Sequence, residues 1–329
     1  MKRRSTKEKI YTVKRVLIYF FSTFLIVSVV YLIGLTGDFS LIRTEQSHKF
    51  GASYMTMNNP YFGMINASIS SIVESNGDVL ITRDPALDAE RQVEQIYQMI
   101  DEGIEALFVA PVDYEKIVPV IQAAKKRGII VIFVDTEAED DSLADGAVVS
   151  NNYEAGKICA QYLMLTKESA SIVLFEHKRT KSGNDRIQGF LETLQGNENY
   201  KVVYREDAQG QVEIAMPKMQ KILESGVEFD TVFAINDVSA LGAMAALQDA
   251  NRLSETTVFG VDGTPEAKAM IKENIMTATV AQYPNKIGEY AAERLYKILD
   301  GEEVANKRLV PVYLITKDNV DDFGTHKWQ

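Results

Sequence analysis

The chain has 329 residues, of which 46% are hydrophobic and 25% charged, as in an ordinary globular protein with one large or two medium domains. Its net charge is −11, but residues 1–15 carry +6, so the remaining residues carry −17. A body this acidic argues against nucleic acid as a partner. The sequence holds one cysteine, Cys159, which excludes a disulfide within the chain and is expected to be a buried small hydrophobe.

The N-terminal region combines a basic stretch with a long apolar run. Seven of residues 1–15 are Lys or Arg, and the next 20 residues, 16–35, carry no charge, which is about the length that crosses a membrane. Because basic residues stay on the cytoplasmic side, we expect a cytoplasmic tail (1–15), an uncleaved single-pass anchor (16–35), a linker (36–46) and an extracytoplasmic body. A cleaved secretory signal is the alternative, and it exports the body equally.

From residue 50 onward, apolar runs of strand length alternate with segments of helical periodicity. Helices are predicted over residues 89–100, 114–126 and 290–299. Strict β–α alternation predicts parallel sheets with helices on both faces, and eleven strands are too many for one compact sheet. We therefore expect an α/β fold with two doubly wound lobes. The predicted strands are 50–55, 78–81, 106–109, 129–134, 147–149, 171–175, 201–204, 231–235, 257–261, 277–281 and 309–315.

Three of these strands end on a polar residue that can bind a hydroxyl group. Asn236, Asp262 and Gln282 each follow a buried strand in the C-terminal part of the chain. Ligands of open α/β sheets bind in the crevice beyond the carboxyl ends of the strands. Because two amides and a carboxylate stand there without a nucleophile, the pattern predicts binding of a polyhydroxylated ligand rather than catalysis.

Other polar and aromatic residues follow strands of the first half and begin helices. After the first strand, Asn59 either caps a helix or hydrogen-bonds a ligand beside an aromatic wall of Tyr61 and Phe62. Asp135 ends another strand, and its carboxylate either caps the following turn or accepts two ligand hydroxyls. Arg186 lies in the first turns of a helix, where the dipole does not favour a cation. It therefore forms a surface ion pair or turns its donors toward a polar ligand.

Signals for a metal, a cofactor or catalysis are weak. The three histidines have no Cys, Ser or carboxylate partner at a recognisable spacing, and no phosphate-binding loop follows a strand. Residues 135–145 carry six acids, but they lack the glycine spacing of a calcium loop, which favours a solvated acidic loop. We expect no catalytic residue, no metal and no cofactor. A hydrolase that uses Asp135 and Asp262 as acid and base is the alternative.

Five segments, taken together and in this order, resemble the type I periplasmic sugar-binding proteins, most closely the ribose-binding proteins and their relatives. The likeness covers roughly residues 48–317. Each segment alone is a weak signal, whereas five in consistent order and spacing are a strong one. They are Met57-Asn-Asn-Pro-Tyr-Phe62, Asn184-Asp-Arg-Ile-Gln-Gly-Phe190, Val232-Phe-Ala-Ile-Asn-Asp237 with Ala240-Leu-Gly-Ala243, Gly260-Val-Asp-Gly-Thr-Pro265, and Ala278-Thr-Val-Ala-Gln-Tyr-Pro284.

The resemblance implies the type I periplasmic binding protein fold, in which two lobes close around a ligand about a hinge of three crossings. Lobe 1 would comprise residues 47–149 and 283–311, and lobe 2 residues 150–282 and 312–329. It also implies ligand contacts from both lobes. These are Asn59, Tyr61, Phe62 and Asp135 from lobe 1, Arg186, Asn236 and Asp262 from lobe 2, and Gln282 at a crossing.

Three positions depart from the ribose-type pattern. Met55 stands where a small hydroxyl residue is usual, Thr136 where an arginine follows the aspartate, and Gly210 where an aromatic ring stacks. The loss of a cation and a ring changes both the volume and the charge of the pocket. We therefore expect a sugar that is larger than ribose or different from it.

The implied function is an extracytoplasmic solute-binding protein for a monosaccharide or similar polyol. Its expected membrane partner is an ABC permease or, because a membrane anchor at 16–35 is unusual for a transport component, a two-component histidine kinase. A receptor of the same fold for a non-sugar small molecule is the alternative. A repressor with the same core would need a helix-turn-helix where the apolar run stands.

Overall fold

The computed structural model describes residues 6–36 and 47–329, which fall into two units divided after Ser47. The first unit contains a long helix, α1 (Thr6–Thr36). The side chains described in it are those of residues 14, 15, 17–29 and 31.

The predicted membrane segment, residues 16–35, falls within α1. Among the residues that are described, no helix has both the length and the apolar character needed to cross a membrane. The anchor is therefore not confirmed and stays a prediction. Residues 1–5 of the predicted tail and 37–46 of the predicted linker lie outside the described residues.

The second unit alternates strands and helices along its length. Residues 48–151 contain β1 (Lys49–Ser53), α2 (Pro60–Ser75), β2 (Val79–Arg83), α3 (Ala89–Asp101), β3 (Ala106–Val109), α4 (Val118–Lys126), β4 (Ile130–Val134) and β5 (Gly146–Ser150). Residues 152–282 contain α5 (Asn152–Thr166), β6 (Ala170–Glu176), α6 (Lys181–Leu194), β7 (Tyr200–Asp207), α7 (Val212–Glu224), β8 (Thr231–Ala234), α8 (Asp237–Asp249), β9 (Thr257–Asp262), α9 (Pro265–Lys272) and β10 (Ala278–Ala281). The last part contains α10 (Pro284–Leu299), β11 (Lys307–Val310), β12 (Tyr313–Thr316) and α11 (Val320–Phe323).

The strands form two six-stranded sheets, ordered β11-β5-β4-β3-β1-β2 and β12-β10-β9-β8-β6-β7. We call the first sheet with its helices lobe 1 and the second lobe 2. The prediction of two parallel-sheet α/β lobes is confirmed, but strictly parallel pairing is wrong for β12, which runs antiparallel to β10. Strands β10 and β11 both run toward the cleft between the lobes. Because β12 starts there, directly after β11, it runs away from the cleft.

The chain passes between the two sheets after β5, after β10 and between β11 and β12. The last passage corrects the prediction of one strand over residues 309–315. Val310 pairs with Ser150 in lobe 1, whereas Tyr313 pairs with Ala281 in lobe 2. Pro311 lies between them, and its missing N–H interrupts the ladder at this point.

Helices cover both faces of each sheet, and one helix pair packs unusually closely. A Cβ added at Gly156 of α5 would lie 1.8 Å from the Arg186 carbonyl oxygen, and one added at Gly189 of α6 would lie 2.0 Å from the Tyr153 carbonyl oxygen. Only glycine permits this approach of two backbones. The contact fixes α6, which carries Arg186. Cys159 in α5 is fully buried, as predicted.

Three further predictions differ from the structure. The helix predicted over 290–299 begins earlier, at Pro284. The helix predicted over 114–126 begins at Val118, because Asp113 Oδ1 accepts hydrogen bonds from the backbone N–H groups of Glu115 and Lys116 and holds the preceding residues in a turn. The acidic stretch is only partly solvated, since Asp135 and Glu137 are buried.

Candidate ligand-binding site

A cleft between the lobes lies at the carboxyl ends of the strands, where ligands of open α/β sheets bind. All eight residues predicted from the sequence line this cleft: Asn59, Tyr61, Phe62, Asp135, Arg186, Asn236, Asp262 and Gln282. The structure thus brings them together, and their role in ligand binding stays a prediction.

The start of α2 supplies the aromatic wall. Asn59 is the N-cap, and its Oδ1 accepts a hydrogen bond from the Tyr61 backbone N–H at 3.0 Å. Its amide nitrogen can still donate to a ligand, so the capping and ligand roles are compatible. The Tyr61 and Phe62 rings are buried and stand edge to face, with centroids 5.5 Å apart. Phe62 also stacks on Tyr54 at 5.9 Å, which holds the wall in place.

A chain of hydrogen bonds joins the two lobes at the second crossing. Tyr61 Oη donates to Gln282 Oε1 at 3.2 Å, and Gln282 Nε2 donates to Asp262 Oδ1 at 2.7 Å. The Gln282 side chain is fully buried. Gln282 therefore fixes the Asp262 carboxylate and the Tyr61 ring relative to each other, across the hinge.

The Asp262 carboxylate is held in an unfavourable setting. It is 4% exposed, and the backbone at this residue has φ 139°, a conformation that residues other than glycine rarely adopt. Burial, reinforced by the charge of Asp237, raises the pKa of Asp262 well above its usual range, while Arg186 and the Gln282 amide act in the opposite direction.

Asp135 is the corresponding carboxylate of lobe 1. It also has a positive φ, 66°, and its buried Oδ1 has no hydrogen-bond partner within the described part of the chain. Burial raises the pKa of Asp135, whereas Arg186 and the Tyr61 hydroxyl lower it. No helix begins at Asp135, so the structure does not show it as a helix cap. An unpaired buried acceptor at a cleft is a position for a ligand donor.

Arg186 is the cation that faces the two carboxylates. It is 4% exposed, which rules out the surface ion pair considered from the sequence. Its Nε donates to Asn152 Oδ1 at 2.8 Å and its Nη1 to the Ile235 carbonyl at 2.7 Å, while Nη1 stands 4.0 Å from Asp262 Oδ1. These bonds use part of the five guanidinium donors, and the others remain for a ligand.

Asn236 closes the lobe 2 side of the cleft. It is the N-cap of α8, and its Oδ1 accepts from the Ser239 backbone N–H at 2.9 Å. Its Nδ2 donates to the Gly210 carbonyl at 3.1 Å. Gly210 has φ 67°, and a Cβ there would lie 3.1 Å from Asn236 Nδ2. Position 210 therefore has no aromatic ring, and its backbone carbonyl instead accepts a hydrogen bond from the Asn236 amide.

Several cleft residues were not predicted from the sequence, and His177 is the most informative. Its side chain lines the cleft 3.7 Å from where a Gly210 Cβ would stand. Burial lowers the pKa of His177 to about 4, so the imidazole is neutral at neutral pH. No sequence signal marks His177, because it directly follows β6 and has no functional partner at a recognisable spacing in the chain. The others are Thr56, Leu87, Thr180, Ser182, Gln209, Gln211 and Ile235.

Of the other two positions that depart from the ribose-type pattern, Met55 lines the cleft and Thr136 bridges the lobes. Met55 is buried at the lobe 1 wall. Thr136 Oγ1 accepts a hydrogen bond from the Ser182 backbone N–H of lobe 2 at 3.1 Å. Nearby, the Tyr114 backbone N–H donates to the Arg179 carbonyl at 3.1 Å. Both hydrogen bonds join the lobes through residues that are not part of the three crossings, so the structure is in a closed arrangement.

No group of His, Cys, Asp and Glu among the described residues is arranged to hold a metal ion. The cleft contains two carboxylates and one guanidinium, with a neutral imidazole beside them. Because Arg186 already faces the two carboxyl groups, these residues offer no spare positive charge to a phosphate or carboxylate ligand, and they suit a neutral molecule with many hydroxyls.

Comparison with known proteins places these features in a wider group. The family model described as "periplasmic binding protein domain" matches residues 50–303. The ribose import binding protein of Bacillus subtilis is 29% identical over 275 residues, covering 83% of this chain and 88% of that protein. The Escherichia coli ribose import binding protein is 27% identical over 264 residues, covering 80% and 88%. A solved ABC transporter solute-binding protein from Mycobacterium smegmatis, with bound glycerol, is 27% identical with a TM-score of 0.80, covering 85% of this chain and 98% of that chain.

Proposed function

Because the chain belongs to the periplasmic binding protein domain family, we propose that it is an extracytoplasmic solute-binding protein that holds a monosaccharide or similar polyol between its lobes. The observation that carries the proposal is the pair of buried carboxylates, Asp135 and Asp262, that faces Arg186 across one cleft. The family consists of binding proteins, and the relatives compared above import ribose or were solved with glycerol.

The cleft has the groups that polyol recognition needs. Carboxylates accept hydrogen bonds from hydroxyls, and charge-assisted bonds of this kind are about twice as strong as neutral ones. Arg186 and the amides of Asn59 and Asn236 donate to hydroxyl oxygens, while the rings of Tyr61 and Phe62 offer apolar faces to the C–H groups of a sugar. The buried Oδ1 of Asp135, which has no partner in the described chain, is the clearest unfilled position.

Binding is proposed to occur without turnover. A glycoside hydrolase could use Asp135 and Asp262 as its two carboxyl groups, and burial does raise the pKa of both. The proposal predicts that the purified chain releases no nitrophenol from a panel of nitrophenyl glycosides. If nitrophenol is released, and if Asp135→Asn and Asp262→Asn each abolish the release, the protein is a hydrolase and the proposal of binding without turnover is wrong.

The proposal extends to the membrane partner. Similarity to ribose import proteins supports an ABC permease. An uncleaved anchor at residues 16–35, supported by 20 uncharged residues after a basic stretch, would instead favour a histidine kinase. In a deletion strain, lost uptake of the labelled ligand supports the importer. Retained uptake with a lost transcriptional response supports the kinase.

Alkaline extraction of membranes tests the anchor. A full-length chain that stays in the membrane pellet supports the anchor. A shorter chain in the soluble fraction shows that the segment is a cleaved signal.

Calorimetry tests the proposed ligand class. The purified full chain, in a detergent without a sugar headgroup, is titrated with D-ribose, D-allose, xylitol, myo-inositol and glycerol. We expect at least one of them to bind, with affinity reduced in Asp135→Asn. Asp249→Asn removes the same charge from an exposed position and serves as the control. Failure of every polyol and of a wider sugar panel would refute the proposal.

A further inference from the structure

Gln329 contacts the two strand ends that carry lobe 2 site residues. Its Nε2 donates to the Asp262 carbonyl at 3.1 Å and to the Gln282 carbonyl at 3.0 Å. Asp262 and Gln282 are also joined directly, because the Gln282 backbone N–H donates to the Asp262 carbonyl at 3.0 Å. One side-chain amide therefore ties the ends of β9 and β10 from outside the cleft. We call residues 327–329 the tail segment.

A buried lysine holds the tail segment in place. Lys268 of α9 is fully buried, and its Nζ donates to the Lys327 carbonyl at 2.7 Å and to Gln329 Oε1 at 2.8 Å. A lysine is rarely buried unless its donors are satisfied. Here the tail segment supplies two of the acceptors, so the docked tail accounts for the burial of Lys268.

The backbone under the tail segment is shaped to receive it. Gly263 follows Asp262 and has φ 72°, and a Cβ at Gly263 would lie 2.4 Å from Gln329 Nε2. Any other residue would be strained there and would push the Gln329 amide away. Gly263 thus leaves the space through which Gln329 reaches the two carbonyls.

The tail segment also reaches lobe 1. The Trp328 ring packs edge to face against Tyr61, with centroids 5.6 Å apart, and lies against the apolar core of lobe 1. The hydroxyl of the same Tyr61 donates a hydrogen bond to Gln282 Oε1 inside the cleft. Within three residues, the tail segment therefore contacts an aromatic residue of the site and the backbone of two polar ones.

We propose that Gln329 and Trp328 are positioning residues for the ligand cleft and that Lys268 docks them. This inference rests on the proposed function for its ligand but not for its mechanism. A strained residue keeps its conformation only when its surroundings hold it, and Gln329 holds the carbonyl of Asp262, whose φ is 139°. Release of the tail segment lets Asp262 relax and moves its carboxylate away from Gln282 and the ligand.

The first test needs no ligand. Trp328 is the single tryptophan of the chain, so its fluorescence reports on the tail segment alone. In Gln329→Ala and Lys268→Met, acrylamide should quench the Trp328 fluorescence more strongly. Amide hydrogens in the peptide 278–284 should exchange about 10-fold faster, because one to two hydrogen bonds are lost. His326→Ala changes an exposed neighbour and should alter neither reading.

The second test measures binding in the full chain with D-ribose, D-allose, xylitol, myo-inositol and glycerol as probes. Gln329→Ala should raise the dissociation constant of each bound polyol about 10-fold, whereas His326→Ala should leave it unchanged. The Gln329→Ala/Lys268→Met double variant should lose no more affinity than the worse single variant, because both break one contact. If the tail segment had a purely structural role, the variants would lower the melting temperature but would not raise the dissociation constant in this non-additive way.

The outcomes separate the two proposals. If no polyol binds the unmodified chain, the proposed function fails, and the exchange measurement still decides the positioning role. If a polyol binds and Gln329→Ala binds it equally well, the positioning role fails and the function stands. Exposure of Trp328 without faster exchange at 278–284 also refutes the positioning role.

Discussion

Replacement of Asp262 by asparagine is expected to weaken ligand binding and to stabilise the ligand-free protein. The carboxylate is buried, its Oδ1 accepts from Gln282 Nε2 at 2.7 Å, and the Arg186 guanidinium is 4.0 Å away. Burial raises the pKa of Asp262 well above its usual range, which means that the folded protein disfavours the charge. An amide has the same shape and keeps an oxygen for Gln282, but carries no charge to desolvate.

The two effects can be sized separately. A hydrogen bond to a charged group contributes about 1.5–3 kcal/mol and one to a neutral group about 0.5–1.5, so each ligand hydroxyl loses about 1–1.5 kcal/mol. For two hydroxyls on the Asp262 carboxylate this is about 2–3 kcal/mol, or roughly 30- to 150-fold in the dissociation constant. Relief of a poorly compensated buried charge should stabilise the ligand-free protein by about 1–3 kcal/mol.

The pH dependence follows from the sign of the shift. Because the pKa of Asp262 in the folded protein lies above the unfolded value of 3.8, the folded protein binds the proton more readily. Asp262 therefore contributes increasing stability as the pH falls through its raised pKa toward 3.8, and this contribution is lost as the pH rises through the raised pKa; Asp262→Asn lacks it.

Calorimetry with a bound polyol and thermal melts of the ligand-free chain measure both effects. Asp249→Asn, at an exposed site of α8, controls for the change in net charge. Undiminished affinity in Asp262→Asn would show that the carboxylate does not bind the ligand. Reduced stability of its ligand-free form would show that the charge is well compensated.

Three further predictions concern the imidazole, the α5–α6 contact and the hinge hydrogen bond. Burial lowers the pKa of His177 from 6.5 to about 4, so the folded protein should lose stability as the pH falls from 6.5 to 4. In thermal melts, His177→Leu should remove up to about 3 kcal/mol of this loss. An unchanged pH profile of the variant would contradict this prediction. Gly189→Ala forces the backbones of α5 and α6 apart and should destabilise the protein by about 3 kcal/mol or more. Gly63→Ala is the control, because its Cβ meets no atom within 4 Å, and it should stabilise α2 by up to about 1 kcal/mol. Equal denaturant midpoints for the two variants would refute the close packing. Tyr61→Phe leaves the buried Gln282 Oε1 without its donor and should weaken polyol binding about 10-fold by calorimetry, an effect whose absence would remove Tyr61 from the hinge network.

The sequence predicted the fold well where local pattern and global packing agree. Central parallel strands such as β3 and β4 are continuous apolar runs, and helices such as α3 and α10 have a marked amphipathic period. The failures lie where tertiary context overrides the local pattern. Residues 309–315 read locally as one apolar run, yet they divide between two sheets at Pro311, where the family resemblance, and not the local pattern, implies a crossing. Nothing in an apolar run records which sheet it joins.

The candidate site was predicted in outline because the ends of parallel strands meet at one edge of a sheet. Asn236, Asp262 and Gln282 could be placed in one cleft on that ground. His177 could not, because it gains its meaning from its distance to Gly210, 33 residues further along the chain. The tail segment was missed for the same reason, since its contacts with Asp262 and Gln282 join positions 67 and 47 residues apart.

The two carboxylates show why the site depends on its surroundings. Asp135 follows β4 and Asp262 ends β9, both have positive φ, and burial raises the pKa of both. Neither the backbone conformation nor the buried charge is stable by itself, since each costs about 1–3 kcal/mol. Arg186, which is carried by α6, offsets the charge of the carboxylates, and the position of α6 depends on Gly189. Gln329 holds the backbone at Asp262. A polyol that donates hydroxyls to both carboxylates would compensate the remaining cost, so the closed cleft is stabilised by the ligand it selects.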